Sequence, residues 1–271
     1  VHLGYTSTHS TVGERVAKSV AIWAFSKHNL SRLNRFFMPG EHTAGQVLQL
    51  DAERSNYACK ALRLTDGDAL DIFNGVGGLY RCELIEAHQR RAKVRVDEAV
   101  PVPSPSGLAP SVAIGLLKGQ AMDRAIQQAT ELGAKDIWLL QAQRSNVSLK
   151  DGRIEQKLEH WRRIIASACE QCGQLWMPTL QGPISVSQSL ELVCDDLEGV
   201  VFDLDGKVLP ATREPKPRLI FIGPEGGWSD EERASFQRHQ ITTYRLGSTV
   251  LRAETMPAVA LALIQQAQNW A

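Results

Sequence analysis

Four prolines in ten residues, Pro101, Pro103, Pro105 and Pro110, divide this chain into two stretches with different hydrophobic rhythms. A run so rich in proline lacks the backbone donors of a helix or a central strand and reads as a linker. Upstream lie short apolar runs at residues 47–50, 69–73, 79–85 and 92–96, separated by Asp66-Gly67, Asn74-Gly75 and Gly77-Gly78. Such runs punctuated by turn pairs are strands. With one expected helix at 55–64 they read as a small β-barrel. Downstream, strands expected at 112–117, 137–140, 200–204, 219–222 and 243–246 alternate with helices expected at 122–132, 154–172 and 255–270. A further helix opens at the capping box Ser229–Glu232. Alternation of this kind builds a mainly parallel α/β sheet.

The first 32 residues stand outside both stretches, with Arg15, Lys18, Lys27 and Arg32 against Glu14. Their apolar run is broken by Lys18 and Ser19, and no small-residue cleavage site follows, so a secretory signal is not supported. The segment reads as a poorly ordered leader, with a transit peptide as the weaker alternative. No stretch approaches the roughly 20 apolar residues of a membrane span. Five scattered cysteines do not make a disulfide framework. Reduced thiols in a cytoplasmic protein are expected.

Several chemistries lose their strongest warrant, because the chain has no P-loop, no Gly-x-Gly-x-x-Gly, no His-Glu-x-x-His and no Gly-x-Ser-x-Gly. Cys169-x-x-Cys172 has no second ligand pair and sits near a helix end, so buried structural thiols are expected rather than a metal or redox site. Lys+Arg and Asp+Glu both count 30, so any nucleic-acid site must be a local patch. Around residues 91–96, alternation sends Ala92, Val94 and Val96 to one face and Arg91, Lys93 and Arg95 to the other. Cations about 7 Å apart along a strand match successive phosphates; a solvated strand face is the plain alternative.

The richest segment is the apolar strand that ends in Ile222-Gly223-Pro224-Glu225-Gly226-Gly227 and feeds the Ser229 capping box. Small residues let a ligand approach backbone N–H groups near a helix start, and in parallel sheets ligands bind beyond the C-terminal strand ends. A second turn follows the next strand, Leu246-Gly247-Ser248-Thr249-Val250-Leu251-Arg252-Ala253-Glu254. The last helix is apolar over a wide arc, which calls either for deep burial within the monomer or for a homodimer interface.

Five ordered motifs then carry a resemblance. They are residues 128–133 (QATELG), 143–147 (QRSNV), 168–173 (ACEQCG), 222–227 (IGPEGG), and Leu246-Gly247 with 250–255 (VLRAET); Arg35-Phe36-Phe37 also fits. The sequence resembles the RsmE-type 16S ribosomal RNA uridine-N3 methyltransferases of the SPOUT, or trefoil-knot, class over about residues 33–271. The resemblance implies an α/β protein with a PUA-like RNA-binding β-barrel (33–103) followed by a SPOUT methyltransferase domain (104–271). It implies S-adenosylmethionine (SAM) as methyl donor, no metal, a homodimer, and 16S rRNA in the 30S subunit as partner, methylated at N3 of uridine 1498. The donor lining would be Phe202, Asp203, Ile222, Gly223, Glu225, Gly226, Leu246, Gly247, Val250 and Leu251. Arg252 and Glu254 are the expected catalytic pair, unless they only pair with each other; Arg35, Arg91, Lys93, Arg95 and Arg144 are the expected RNA contacts. Two positions depart from the family pattern: Thr249 replaces a common Arg, and Gln128 a common Lys, so Arg252 or Arg144 would supply the missing charge. A ribose 2′-O-methyltransferase on rRNA or tRNA, or a non-catalytic RNA-binding assembly factor, are the rival readings.

Overall fold

A computed structural model describes residues 34–105, 107–147, 154–210 and 215–268. The N-terminal extension and Trp270 lie outside the described residues. The first unit contains β1 (Arg35–Phe37), β2 (Val47–Gln49), β3 (Ala69–Phe73), β4 (Leu79–Glu86) and β5 (Lys93–Val100), in the order β1-β3-β4-β5-β2. Inward residues of the period-two pattern, among them Leu70, Ile72, Cys82, Leu84, Val94 and Val96, surround Phe36 and Leu50 in one core. Because β1 and β2 remain the two edges, the sheet curls around that core as a half-barrel rather than a closed ring. The single helix expected at 55–64 begins earlier and splits. Helix α1 (Ala52–Asn56) starts where the Asp51 carboxylate accepts from the Arg54 backbone N–H at 2.7 Å, and a π-helical turn (Tyr57–Ala61) follows.

The second unit is a six-stranded sheet in the order β11-β9-β10-β6-β7-β8, with every neighbouring pair parallel. Its elements are β6 (Ser111–Gly115), α2 (Gln120–Glu131), β7 (Asp136–Gln141), α3 (Ile154–Cys172), β8 (Thr179–Ser185) and α4 (Val186–Leu190). They continue with β9 (Glu198–Val208), β10 (Arg218–Ile222), α5 (Asp230–Arg238), β11 (Thr242–Arg245) and α6 (Met256–Ala267). Alternate residues of the buried strands serve two cores. Val112, Ile114, Ile137, Ile220 and Ile222 pack with α2, α3 and α6. Ala113, Leu140, Leu219 and Phe221 pack with α4 and α5.

Strand β8 was not legible because Gly182 and Pro183 interrupt its pattern; as an edge strand it tolerates the missing donor. Strand β9, expected at 200–204, runs on to Val208 through Asp205 and Gly206, residue types that strands disfavour, and pairs there with Tyr244 and Arg245. Gly133 ends α2 as expected, with φ +71° and the Ala134 N–H returning to the Ala129 carbonyl.

Helix α6 divides the two readings of its wide apolar arc. Ala260, Leu261 and Ile264 are buried in the monomer, whereas Leu263 on the adjacent stripe is 37% exposed. Cys169 is buried, but Cys172 is exposed, which corrects the expectation that both thiols are buried: Cys172 is the last residue of α3 and follows the exposed Gln171, where the helix ends. Burial pushes the Cys82 thiol up to about 12 and raises that of Cys169 as well. Alkylation of the native protein at pH 8 is therefore expected to label Cys194 and Cys172 well before Cys82 and Cys169, as read by peptide mass spectrometry. Among the described residues, no helix is long and apolar enough to cross a membrane, and no cluster of His, Cys, Asp and Glu could hold a metal ion.

Candidate functional site

Since all the strands of the second unit are parallel, their C-terminal ends open on one rim. The Gly223–Gly227 loop leaves β10 there and is held from both sides. On one side, the Lys118 backbone N–H donates to Glu225 Oε1 at 3.0 Å. Beneath it Gly115, the last residue of β6, lies so close that a Cβ would stand 2.7 Å from Pro224 Cδ and 2.8 Å from Pro224 N. On the other side Gly226 meets the backbone and Cβ of Arg144, where a Cβ would come within 3.0 Å. The capping box is fully formed. Ser229 Oγ accepts from the Glu232 N–H at 3.1 Å, the Glu232 carboxylate accepts from the Ser229 N–H at 2.8 Å, and it also accepts from the Gln143 N–H at 2.9 Å. Loops after β6, β7 and β10 are thus tied into one ledge.

The expected donor residues distribute unevenly on this rim. Phe202 and Asp203 follow the β9 residues that pair with Ile220 and Phe221, which sets them level with the end of β10. Phe202 tilts onto Tyr244, with ring centroids 6.2 Å apart. The Asp203 carboxylate is occupied: it pairs with Arg233 of α5 and accepts from the Leu204 N–H at 2.7 Å. Ile222, the last residue of β10, is buried. Leu246 and Leu251 are half-buried, whereas Val250 is 81% exposed on a turn whose Gly247 adopts φ +142°.

Arg252 and Glu254 stand at the entry to α6. Their charged groups approach to 3.8 Å, with the Arg252 side chain 85% exposed and the Glu254 side chain 14% exposed. This is a long, one-sided pair that leaves the guanidinium largely in solvent.

The five expected RNA contacts separate into three groups. Arg35 is spent inside the protein: its Nη1 donates to the Gly173 carbonyl at 3.0 Å, and Asp71 lies 3.8 Å from its Nε. Ala92, Val94 and Val96 point inward as expected, but Arg91, Lys93 and Arg95 do not form a bare cationic face. Glu86 pairs with Lys93 at 2.6 Å and Arg91 at 3.9 Å; Glu83 pairs with Arg95 at 2.5 Å, and Asp97 lies 3.5 Å from it. Strand register is the cause, since β4 places Glu83 opposite Arg95 and Glu86 opposite Lys93. Arg144, by contrast, sits on the rim beside Gly226. Sequence reasoning missed Gly115, Lys118 and the bond from the Gln143 N–H to Glu232; a glycine interrupting a buried strand was the available signal for close backbone approach.

A family model described as an RNA methyltransferase domain matches residues 105–265, and one described as an RNA methyltransferase PUA domain matches residues 50–97. The ribosomal RNA small subunit methyltransferase E of Synechocystis sp. is 30% identical over 239 residues, covering 85% of this chain and 76% of that protein. The chain belongs to the RsmE family of RNA methyltransferases. The Bacillus subtilis member is 28% identical, over 86% of this chain and 96% of its own. Among solved structures, a Legionella pneumophila methyltransferase in complex with SAM has a TM-score of 0.80 and 31% identity, covering 87% of this chain and 98% of its own. The RsmE of Neisseria gonorrhoeae bound to SAM has a TM-score of 0.78 and 25% identity with the same coverage. The architecture of this RsmE-family chain is therefore a PUA-like half-barrel followed by a SPOUT-type α/β domain.

Proposed function

We propose that this protein transfers the methyl group of SAM to N3 of a uridine in 16S rRNA, acting on the assembled 30S subunit. The observation that carries the reading is the ledge itself: two glycine turns, Gly223–Gly227 and the one containing Gly247, at the C-terminal rim of one parallel sheet, with two solved relatives, at 31% and 25% identity, holding SAM. The residues fit such a ligand. Gly223, Gly226 and Gly247 present backbone without side chains, and the exposed Val250 beside Leu246 and Leu251 offers an apolar surface that an adenine ring would cover. The occupied carboxylate of Asp203 makes it a support for the rim, with Phe202 the better lining residue of the two. We take residues 33–103 as the RNA-binding unit and 104–271 as the methyltransferase unit, paired as a homodimer through the exposed stripe of α6.

A sulfonium methyl is already activated, so what the protein adds is alignment and control of the proton on uracil N3. Arg252, mostly in solvent yet anchored near Glu254, would stabilise the negative charge that develops on the uracil as that proton leaves. Glu254, less exposed, orients Arg252 or accepts the proton. For RNA, the pairing of Arg91, Lys93 and Arg95 with acids shifts the weight to Arg144 at the rim. Replacing Arg144 with Ala is expected to weaken 30S binding and lower its salt slope by about one, whereas Lys93→Ala changes the slope by well under one because Glu86 already neutralises it. Filter binding across a salt series checks this; equal slopes for the two variants would move the RNA surface back to β5.

The deciding assay is methyl transfer from labelled SAM to unmethylated 30S subunits, with free 16S rRNA alongside and nucleoside analysis of the product. 3-Methyluridine arising mainly on the 30S particle is the expected result. A ribose-methylated nucleoside would replace the reading with a 2′-O-methyltransferase, and absence of both transfer and SAM binding with an assembly factor.

A further inference from the structure

The segment Ala168–Gly173 takes no part in the rim chemistry, yet it gathers an unusual set of contacts from the other unit. Glu170, on the last turn of α3, accepts from the Phe37 backbone N–H at 2.8 Å and from Arg54 Nε at 2.9 Å through the same Oε1. Phe37 ends the edge strand β1, so its N–H on the open side of the half-barrel has no strand partner, and Glu170 supplies the acceptor. Arg54 is itself held by Asp51 at 2.5 Å and lies over the Phe37 ring, 5.9 Å from its centroid. Three residues beyond Glu170, the Gly173 carbonyl accepts from Arg35. Further along, the Gly77 N–H donates to the Leu175 carbonyl at 3.2 Å and the Met177 N–H to the Gly75 carbonyl at 2.9 Å.

Phe73 and Leu79 of the half-barrel also join the core beneath α3, with Phe37 packed against it. Apolar contact of that kind holds two surfaces together without fixing their angle, because it is non-directional. Hydrogen bonds to a carboxylate are directional and stronger than neutral ones. From this division we infer that Glu170 is a positioning residue for the methyl-transfer reaction: it sets the orientation of the RNA-binding half-barrel relative to the catalytic rim. The inference rests on the function proposed above. An rRNA substrate gripped by the half-barrel and presented to the rim is bound at two points, and loosening the joint between them lowers the effective concentration of the second contact.

The test compares Glu170→Ala with Glu170→Gln, whose amide oxygen still accepts from Phe37 and Arg54. In E170A the KM for 30S subunits is expected to rise about tenfold or more, with kcat and SAM affinity within about twofold of wild type. E170Q should stay within about threefold in KM, since only the charge is lost. Hydrogen exchange provides a readout independent of activity: in E170A the amides of Phe37, Gly77 and Met177 should exchange faster, while those of β6 and β10 are unchanged. An unchanged KM, junction amides that keep wild-type exchange, E170Q as impaired as E170A, or SAM affinity falling in step with KM would each overturn the positioning role. Wild-type protein that transfers no methyl group to rRNA would instead overturn the functional reading, and the exchange result then decides by itself whether Glu170 holds the joint.

Discussion

Arg252→Ala is expected to lower the rate of methyl transfer in a single turnover by about 10²- to 10³-fold, the usual cost of removing one donor to a developing anion. The size follows from the reaction. Uracil N3 has no free lone pair until its proton leaves, so the charge on the ring is greatest near the transition state, where a cation has most effect. The 3.8 Å separation from Glu254 and the 85% exposure of Arg252 mean that its charge is not consumed by a tight internal pair. SAM affinity should remain within about twofold, since the donor loops are untouched. Arg252→Lys should recover part of the rate by restoring the charge without the planar fork. Equal rates for wild type and R252A would leave Arg252 and Glu254 as partners of each other only.

The second large effect is expected from a change of one methyl group. Gly115 has no need of its glycine for backbone conformation, as its φ is not in the left-handed region; its constraint is space. A Cβ there would press on the Pro224 ring and backbone nitrogen at 2.7 and 2.8 Å, atoms that cannot rotate aside. Gly115→Ala must push the Gly223–Glu225 loop off its seat and strain the bond between Lys118 and Glu225, at about 1–3 kcal/mol of overpacking. Because that loop forms half of the proposed donor ledge, SAM affinity should fall about tenfold or more, with RNA binding retained. Titration calorimetry with SAM, alongside thermal unfolding, reads both terms. G115A that binds SAM as wild type does would show that the loop's position does not matter to the donor.

What could be read from the sequence, and what could not, divides along the range of the interactions involved. Boundaries set locally were legible. The capping box at Ser229, the C-cap at Gly133, the 19 residues of α3 and the five of β3 all depend on neighbours within a turn or on period-two alternation. Elements whose local signals conflict were not. The edge strand β8 contains Gly182 and Pro183, and β9 continues through residues that favour turns because β11 supplies its partner. The site followed the same division. Both glycine turns could be found in the sequence, and so could the family, because its motifs are ordered along the chain.

The roles of charged side chains could not be read that way. Arg91, Lys93 and Arg95 look like a phosphate-binding row until the register of β4 sets Glu83 and Glu86 across from them. Arg35 looks like an RNA contact until Gly173, 138 residues away, takes its donor. Glu170 carries no sign in the sequence of the two donors it accepts from across the chain. By itself the sequence determined the two units, the strands and helices whose local signals agree, and the two glycine turns, since those follow from short-range periodicity and turn geometry. Only the tertiary structure decided which charges remain free and which are spent, because Coulomb and hydrogen-bond energies depend on distances that spacing along the chain does not encode.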